Sequence, residues 1–253
     1  MKSDLMLKEE AKAKEHLPEG VVRYIEEEIL YKVVPPDEVA GFVIEPIQGE
    51  GGYILPAPGF FPALRKLCDR YGILLIADEV QSGVGRTGKW WAIQNFGVEP
   101  DIICAAKGIA SGMPLGAMVA RKHLVTWPRG AHGNTYGGNP LSCAAAVATL
   151  DLVASEYAAN AARVGEHFMQ RLRELQRDFS CIGEVRGKGL MIGIELDRPC
   201  GDLVGQALAA GLLVNVTADV VIRLLPPLVL EDEQAQLLVD TLEALIRHFL
   251  HQA

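Results

Sequence analysis

An α/β fold with a mainly parallel sheet is what this chain of 253 residues should adopt. Two short apolar runs carry that expectation. Ile73-Leu74-Leu75-Ile76-Ala77 ends in Asp78, and Ile102-Ile103-Cys104-Ala105-Ala106 ends in Lys107. Short, β-rich runs bounded by turn signals read as strands buried on both faces, the condition of a parallel sheet covered by helices. A change of texture after about residue 155 adds a smaller α/β unit at the C-terminus.

In chain order, residues 1–20 are charged, rich in Lys, Glu and Ala, and read as an arm. A helical pattern runs from Val21 to about Tyr31 and stops at Val33-Val34-Pro35-Pro36. Val39–Ile44 reads as a strand, followed by a rigid, acid-bearing loop, Glu45-Pro46-Ile47-Gln48-Gly49-Glu50-Gly51-Gly52-Tyr53. Pro58–Tyr71 has Phe61, Leu64 and Leu67 on one helical face. The strand to Asp78, a glycine-rich loop, an aromatic segment and the strand to Lys107 come next, then a strand at Gly116–Ala120. Gly133-Asn134-Thr135-Tyr136-Gly137-Gly138-Asn139-Pro140 leads into a small-residue helix, about 141–155, and a longer one from Ala158 to about Phe179. Arg186-Gly187-Lys188-Gly189 reads as a turn opening a strand at Leu190–Leu196. A helix at about Gly201–Ala210, strands near Leu212–Val216 and Val221–Leu225, and a helix from Glu231 to Leu250 complete the chain. The expected division is an arm (1–20), a large domain (21–155) and a small domain (156–253).

A net charge of −8 and a pI near 5.3 argue against nucleic acid or an anionic membrane surface as partner. No uninterrupted apolar run reaches the length that crosses a bilayer, and the acidic, charge-broken first residues do not resemble a signal peptide. The expected location is the cytoplasm. Five scattered cysteines with no Cys-x-x-Cys pair fit reduced thiols, and the histidines do not cluster, so no metal is expected.

The chemistry gathers at one sheet edge. In open α/β sheets ligands bind outside the carboxyl ends of the strands. Asp78 and Lys107, about thirty residues apart, are one βαβ unit from each other and reach one rim. An amine beside a carboxylate that can hold a protonated pyridine nitrogen is what pyridoxal phosphate chemistry requires. Gly83-Val84-Gly85-Arg86-Thr87-Gly88 matches the dinucleotide fingerprint in letters only. Asp78 to Ser82 separate it from the strand, and Lys89-Trp90-Trp91 follows where a helix should open. That loop is expected to be flexible backbone lying against a ligand. Arg223 stands alone in the apolar Val220-Val221-Ile222-Arg223-Leu224-Leu225, where a guanidinium needs a buried partner.

Five motifs in order resemble the class III (ω-) aminotransferases, pyridoxal-phosphate enzymes of fold type I. They are Glu45-Pro46-Ile47-Gln48-Gly49-Glu50-Gly51-Gly52, Asp78-Glu79-Val80-Gln81-Ser82-Gly83, Gly85-Arg86-Thr87-Gly88, Lys107-Gly108, and the segment from Gly133 to Pro140. The resemblance runs from about Val21 to the C-terminus. It implies transfer of an amino group to 2-oxoglutarate through an aldimine on Lys107, with Asp78 on the pyridinium nitrogen. Val80 would pack on the ring and Gln81 would hydrogen-bond its hydroxyl. Thr135 would bind the phosphate of the partner subunit in a homodimer. Arg223 would grip a substrate carboxylate, with Glu50 covering it when an ω-amine enters. Arg186 reads as structural.

Residues 1–20 hold none of the family's N-terminal features: a Gly-Ser/Thr phosphate turn, a ring-stacking aromatic, and substrate-pocket residues. Without that portion the sheet should expose an edge and an apolar face. The region around Glu50 and Gln81 resembles the 4-aminobutyrate branch, which is the leading expectation. The segments Leu212–Asp219 and Val221–Pro227 resemble the acetylornithine and ornithine branch. A non-catalytic remnant or dimerisation module is the third reading.

Overall fold

The structure is a computed structural model that describes residues 18–251, so most of the expected arm lies outside the described residues. Residues 18–32 wind as a helix whose middle, Ile25–Leu30, is π-helical. The first sheet contains β1 (Gly41–Ile44), β2 (Leu74–Asp78), β3 (Ile102–Ala105) and β4 (Ala117–Ala120), in that order. The first three strands are parallel and β4 closes the sheet antiparallel to β3. Helix α1 (Phe60–Tyr71) follows β1 and buries Phe61, Leu64, Leu67 and Cys68 against Leu75 and Ala77 of β2. Each such side chain contributes about 1.5–3 kcal/mol by leaving water. The sheet is uncovered where Val43 of β1, 67% exposed, and Met118 and Val119 of β4 meet solvent.

Helix α2 (Pro140–Leu152) starts where Pro140 supplies a fixed φ, and the Asn139 side chain accepts the Ser142 N–H at 2.9 Å. A π-helical turn, Val153–Tyr157, carries it without interruption into α3 (Ala158–Asp178). The joined helix, Pro140–Asp178, is 39 residues long and has a window of mean hydropathy 1.2. By length and composition alone it could cross a bilayer, contrary to the expectation from uninterrupted apolar runs. Interspersed alanines raise the average where no long run exists. Within α3, however, Val164, Phe168, Leu172 and Leu175 are buried in a protein core.

That core belongs to a second, antiparallel sheet of β5 (Ile182–Lys188), β6 (Met191–Leu196), β7 (Asn215–Thr217) and β8 (Val221–Leu224), ordered β5-β6-β8-β7. Helices α4 (Asp202–Ala209) and α5 (Asp232–His251) add Leu203, Ala207, Val239, Leu242 and Ile246 to the buried set. Strand β5 was not expected. Glu184, Arg186 and Lys188 break its apolar alternation, so Arg186 lies in a strand and the chain reverses after Lys188. Arg186 pairs with Glu184 at 2.8 Å and Glu195 at 2.5 Å, and its Nε donates to the Gly52 carbonyl at 2.9 Å. It fastens the second sheet to the loop after β1.

The glycine-rich loop is explained by packing. A side chain at Gly85 would meet Val153 Cγ1 at 2.8 Å, and one at Gly88 would meet Ala162 Cβ at 2.7 Å. Both glycines have positive φ. These two positions lie against Val153 of the α2–α3 junction and Ala162 of α3.

Candidate active site

Strands β2 and β3 are adjacent and parallel, with Asp78 opposite Cys104, so their carboxyl ends open on one rim. The Glu79 N–H bonds the Cys104 carbonyl at 2.9 Å and continues the ladder past Asp78. Asp78 Oδ1 accepts the Val80 N–H at 3.0 Å, and among the described residues no cation pairs with its carboxylate. Lys107 is exposed and opens a 3₁₀ turn, Lys107–Ala110, with φ of 48°. A lysine gains nothing intrinsically from the left-handed region, so the surrounding turn imposes this conformation.

Beside the rim lies a cavity of about 320 Å³ lined by Val80, Gln81, Arg86, Lys107, Ser111 and Thr149, among others. Asp78 is not among its lining residues. Gln81 is placed by the absence of a side chain at Gly49, where a Cβ would stand 2.8 Å from Gln81 Oε1. That oxygen is buried without a hydrogen-bond partner, while Nε2 reaches Glu50 at 3.4 Å.

The structure brings Glu50 and Arg223 together. Arg223 Nη1 meets Glu50 Oε1 at 2.8 Å and the Gly49 carbonyl at 3.1 Å. Asn215 Oδ1 accepts from Nε at 2.9 Å and Nη2 at 2.6 Å. The guanidinium also lies 5.4 Å from the centroid of the Tyr53 ring, a cation–π contact. The arginine side chain is 12% exposed and that of Glu50 is 77% exposed. The expected buried partner is therefore a solvent-facing carboxylate, one that can leave without crossing packed protein. The Arg223 hydrogen bond, then Gln81 and the charges of Arg223 and Lys107, hold the Glu50 carboxyl below the usual carboxylate range.

Thr135 stays apart. It sits in an exposed turn in which Asn134 Oδ1 accepts the N–H groups of Tyr136 and Gly137 at 3.1 and 2.9 Å. No hydrogen bond joins Thr135 to the rim among the described residues.

Several site neighbours were not singled out from sequence. Glu79 is fully buried and accepts from Ala92 N, Ile93 N and Ser82 Oγ at 2.9, 2.8 and 2.6 Å. Burial pushes its carboxyl up. Strand alternation is the signal that could have found it, since neighbours at a strand end face opposite ways. Arg86 donates to the Pro226 carbonyl, and burial pulls its guanidinium down. Tyr53, Asn215 and Thr217 come from distant segments, and no local pattern marks them.

A mainly parallel sheet with an acid and a lysine at one rim, and an arginine paired with a glutamate beside them, is the arrangement of a fold type I transferase. The chain belongs to the class III aminotransferases: that family's description, Aminotransferase class-III, matches residues 3–246. The match starts well before Val21, where the motif resemblance begins. A relative named acetylornithine aminotransferase, from Methanosarcina mazei, is 48% identical over 88% of this chain and 55% of its own length. The solved acetylornithine aminotransferase of Elizabethkingia anophelis is 38% identical with a TM-score of 0.82, covering 88% of this chain and 60% of that one. An amine transaminase from an uncultivated Pseudomonas species, solved in a PLP-bound form, is 38% identical with a TM-score of 0.83, over 93% of this chain and 57% of that one. The chain thus spans little more than half the length of the relatives it matches.

Proposed function

We propose that this chain carries the pyridoxal-phosphate rim of an acetylornithine- or ornithine-type aminotransferase with 2-oxoglutarate as amino acceptor. One observation carries the reading: Asp78 and Lys107 leave adjacent parallel strands at the same edge, beside the Glu50–Arg223 pair. The residues present fit the cofactor. The buried, unpartnered Gln81 Oε1 suits a ring hydroxyl, the unpaired Asp78 carboxylate suits a protonated ring nitrogen, and Val80 offers an apolar surface. When bound, the cofactor supplies an electron sink for a substrate carbanion.

The chain's own groups do the rest. Lys107 Nζ, on the turn after β3, would hold the cofactor covalently and, once displaced by the substrate amine, would carry the proton to and from the substrate carbon. Asp78 would keep a positive charge on the ring nitrogen favourable. Arg223 binds a substrate carboxylate once Glu50 turns into solvent, so donor and acceptor use one site in alternation. Thr135, exposed in its turn, serves the phosphate bound to a second copy in a homodimer. We take residues 21–155 as the large domain and 156–253 as the small one.

The acetylornithine reading displaces the 4-aminobutyrate expectation because the relatives at 48% identity bear that name. Glu50, which touches Arg223, and Gln81, which touches Glu50, suggested 4-aminobutyrate but say nothing of a donor's far end.

The test adds pyridoxal phosphate to the purified chain, seeks a visible absorption band, reduces with borohydride and maps the labelled peptide. Label on Lys107, lost in Lys107→Ala, with glutamate formed from N-acetylornithine faster than from 4-aminobutyrate, is the expected result. Label without turnover would favour the non-catalytic remnant. Label elsewhere, or none, would overturn the assignment.

A further inference from the structure

Arg223 is held by more than the glutamate that covers it. Strand β7 lies at the edge of the second sheet and pairs with β8, with Asn215 directly opposite Arg223. Two residues on, Thr217 shares that face by strand alternation, and its hydroxyl donates to the Glu50 main-chain carbonyl at 2.7 Å. Both halves of the pair are thus fastened to one three-residue strand, one through a side chain and one through its backbone.

A guanidinium has five N–H groups. Asn215 Oδ1 takes the Nε proton and one on Nη2, while Gly49 O and Glu50 Oε1 take the two on Nη1. Once Glu50 turns away, one N–H is open on each Nη, the fork that a single carboxylate accepts in bidentate fashion. The remaining contacts, with the Asn215 amide, the Gly49 carbonyl and the Tyr53 face, do not depend on Glu50. The arginine therefore keeps its place while its cover changes. The hydroxyl of Thr217 restrains the Glu50 main chain, so that only the glutamate side chain need move.

We infer that Asn215 and Thr217 are positioning residues of the carboxylate gate: Asn215 pre-aims Arg223 for an incoming carboxylate, and Thr217 keeps Glu50 in register to compete with it. The inference rests on Arg223 being the carboxylate site. Its distinguishing consequence is a difference of sign. Freeing Arg223 should weaken carboxylate binding, because ordering must then be supplied on binding. Freeing Glu50 should strengthen it, because the competitor loses its own pre-organisation.

Calorimetric titration of the full chain with glutarate, a dicarboxylate with no reactive carbonyl, reads both effects without requiring turnover. Wild type should bind and Arg223→Ala should not. Asn215→Ala should bind about tenfold more weakly, the loss of two hydrogen bonds to a charged group partly replaced by water. Thr217→Val, which keeps the shape, should bind about two- to threefold more tightly. Circular dichroism confirms that each variant is folded. Asn215→Ala binding like wild type, Thr217→Val binding no more tightly than wild type, or both variants weakening together, would overturn the inference while leaving the carboxylate site standing. Wild type without Arg223-dependent binding would remove that site, and the inference with it.

Discussion

The two sheets divide stability from chemistry. The second sheet is antiparallel and packed by α3, α4 and α5, and its core runs continuously from Ala161 to Ile246. The first sheet packs α1 on one side, leaves Val43, Met118 and Val119 in solvent, and carries Asp78 and Lys107 at its rim. An antiparallel sheet can pack one face and leave the other to solvent. A parallel sheet needs cover on both faces, and its functional rim must stay open. The Glu50–Arg223 pair is a place where the two meet, since Glu50 comes from the loop after β1, and Arg223, Asn215 and Thr217 come from the second sheet.

Substitutions that separate the two roles sharpen or break this contrast. The largest effect should come from Phe168→Ala in α3, whose side chain is fully buried. A loss of about 3–5 kcal/mol is expected in denaturant titration. Borohydride labelling of Lys107 should persist in whatever fraction remains folded. Labelling lost at unchanged stability would break the division.

Glu79→Gln comes next, at roughly 2–3 kcal/mol, because an amide offers one acceptor oxygen to three donors and turns an N–H₂ toward them. The same titration checks it. Here the destabilisation lies next to Asp78, so cofactor capture should weaken as well. Intact capture would show that the rim does not depend on its buried acid.

Asp101→Asn should cost least, about 1 kcal/mol near neutral pH. Although burial works the other way, the Leu75 N–H and the Arg65 guanidinium, at 2.8 and 2.6 Å, bring the Asp101 carboxyl below its ordinary range. A carboxyl lowered in the folded state adds stability above its unfolded pKa, and that stability fades as pH falls through the folded value. The difference between wild type and variant should therefore shrink on acidification. A gap that stays constant or widens would show that Arg65 and Leu75 do not anchor this carboxylate.

Much of the site could be read in advance where local rules suffice. Asp78 and Lys107 were readable because each ends an apolar run, and strand ends of a parallel sheet share a rim. Helix α1 showed its apolar spacing, and α2 its Asn139-Pro140 start. Strand β5 did not show itself, since charged residues break its apolar alternation and Arg186 is settled in part by the distant Gly52 carbonyl. What the glycines at 85 and 88 accommodate, Val153 and Ala162, likewise lies far along the chain.

Periodicity and strand-end chemistry, both properties of neighbouring residues, determined from the sequence alone the α/β class and the acid–lysine rim. Only the tertiary structure decided that Arg223 faces an exposed Glu50 and rests on Tyr53 and on Asn215 of β7, the strand whose Thr217 straps the glutamate's backbone. The contacts of Arg223 and Thr217 with the loop after β1 join residues more than a hundred positions apart, and their geometry is set by how the two sheets pack and by no local preference of the chain.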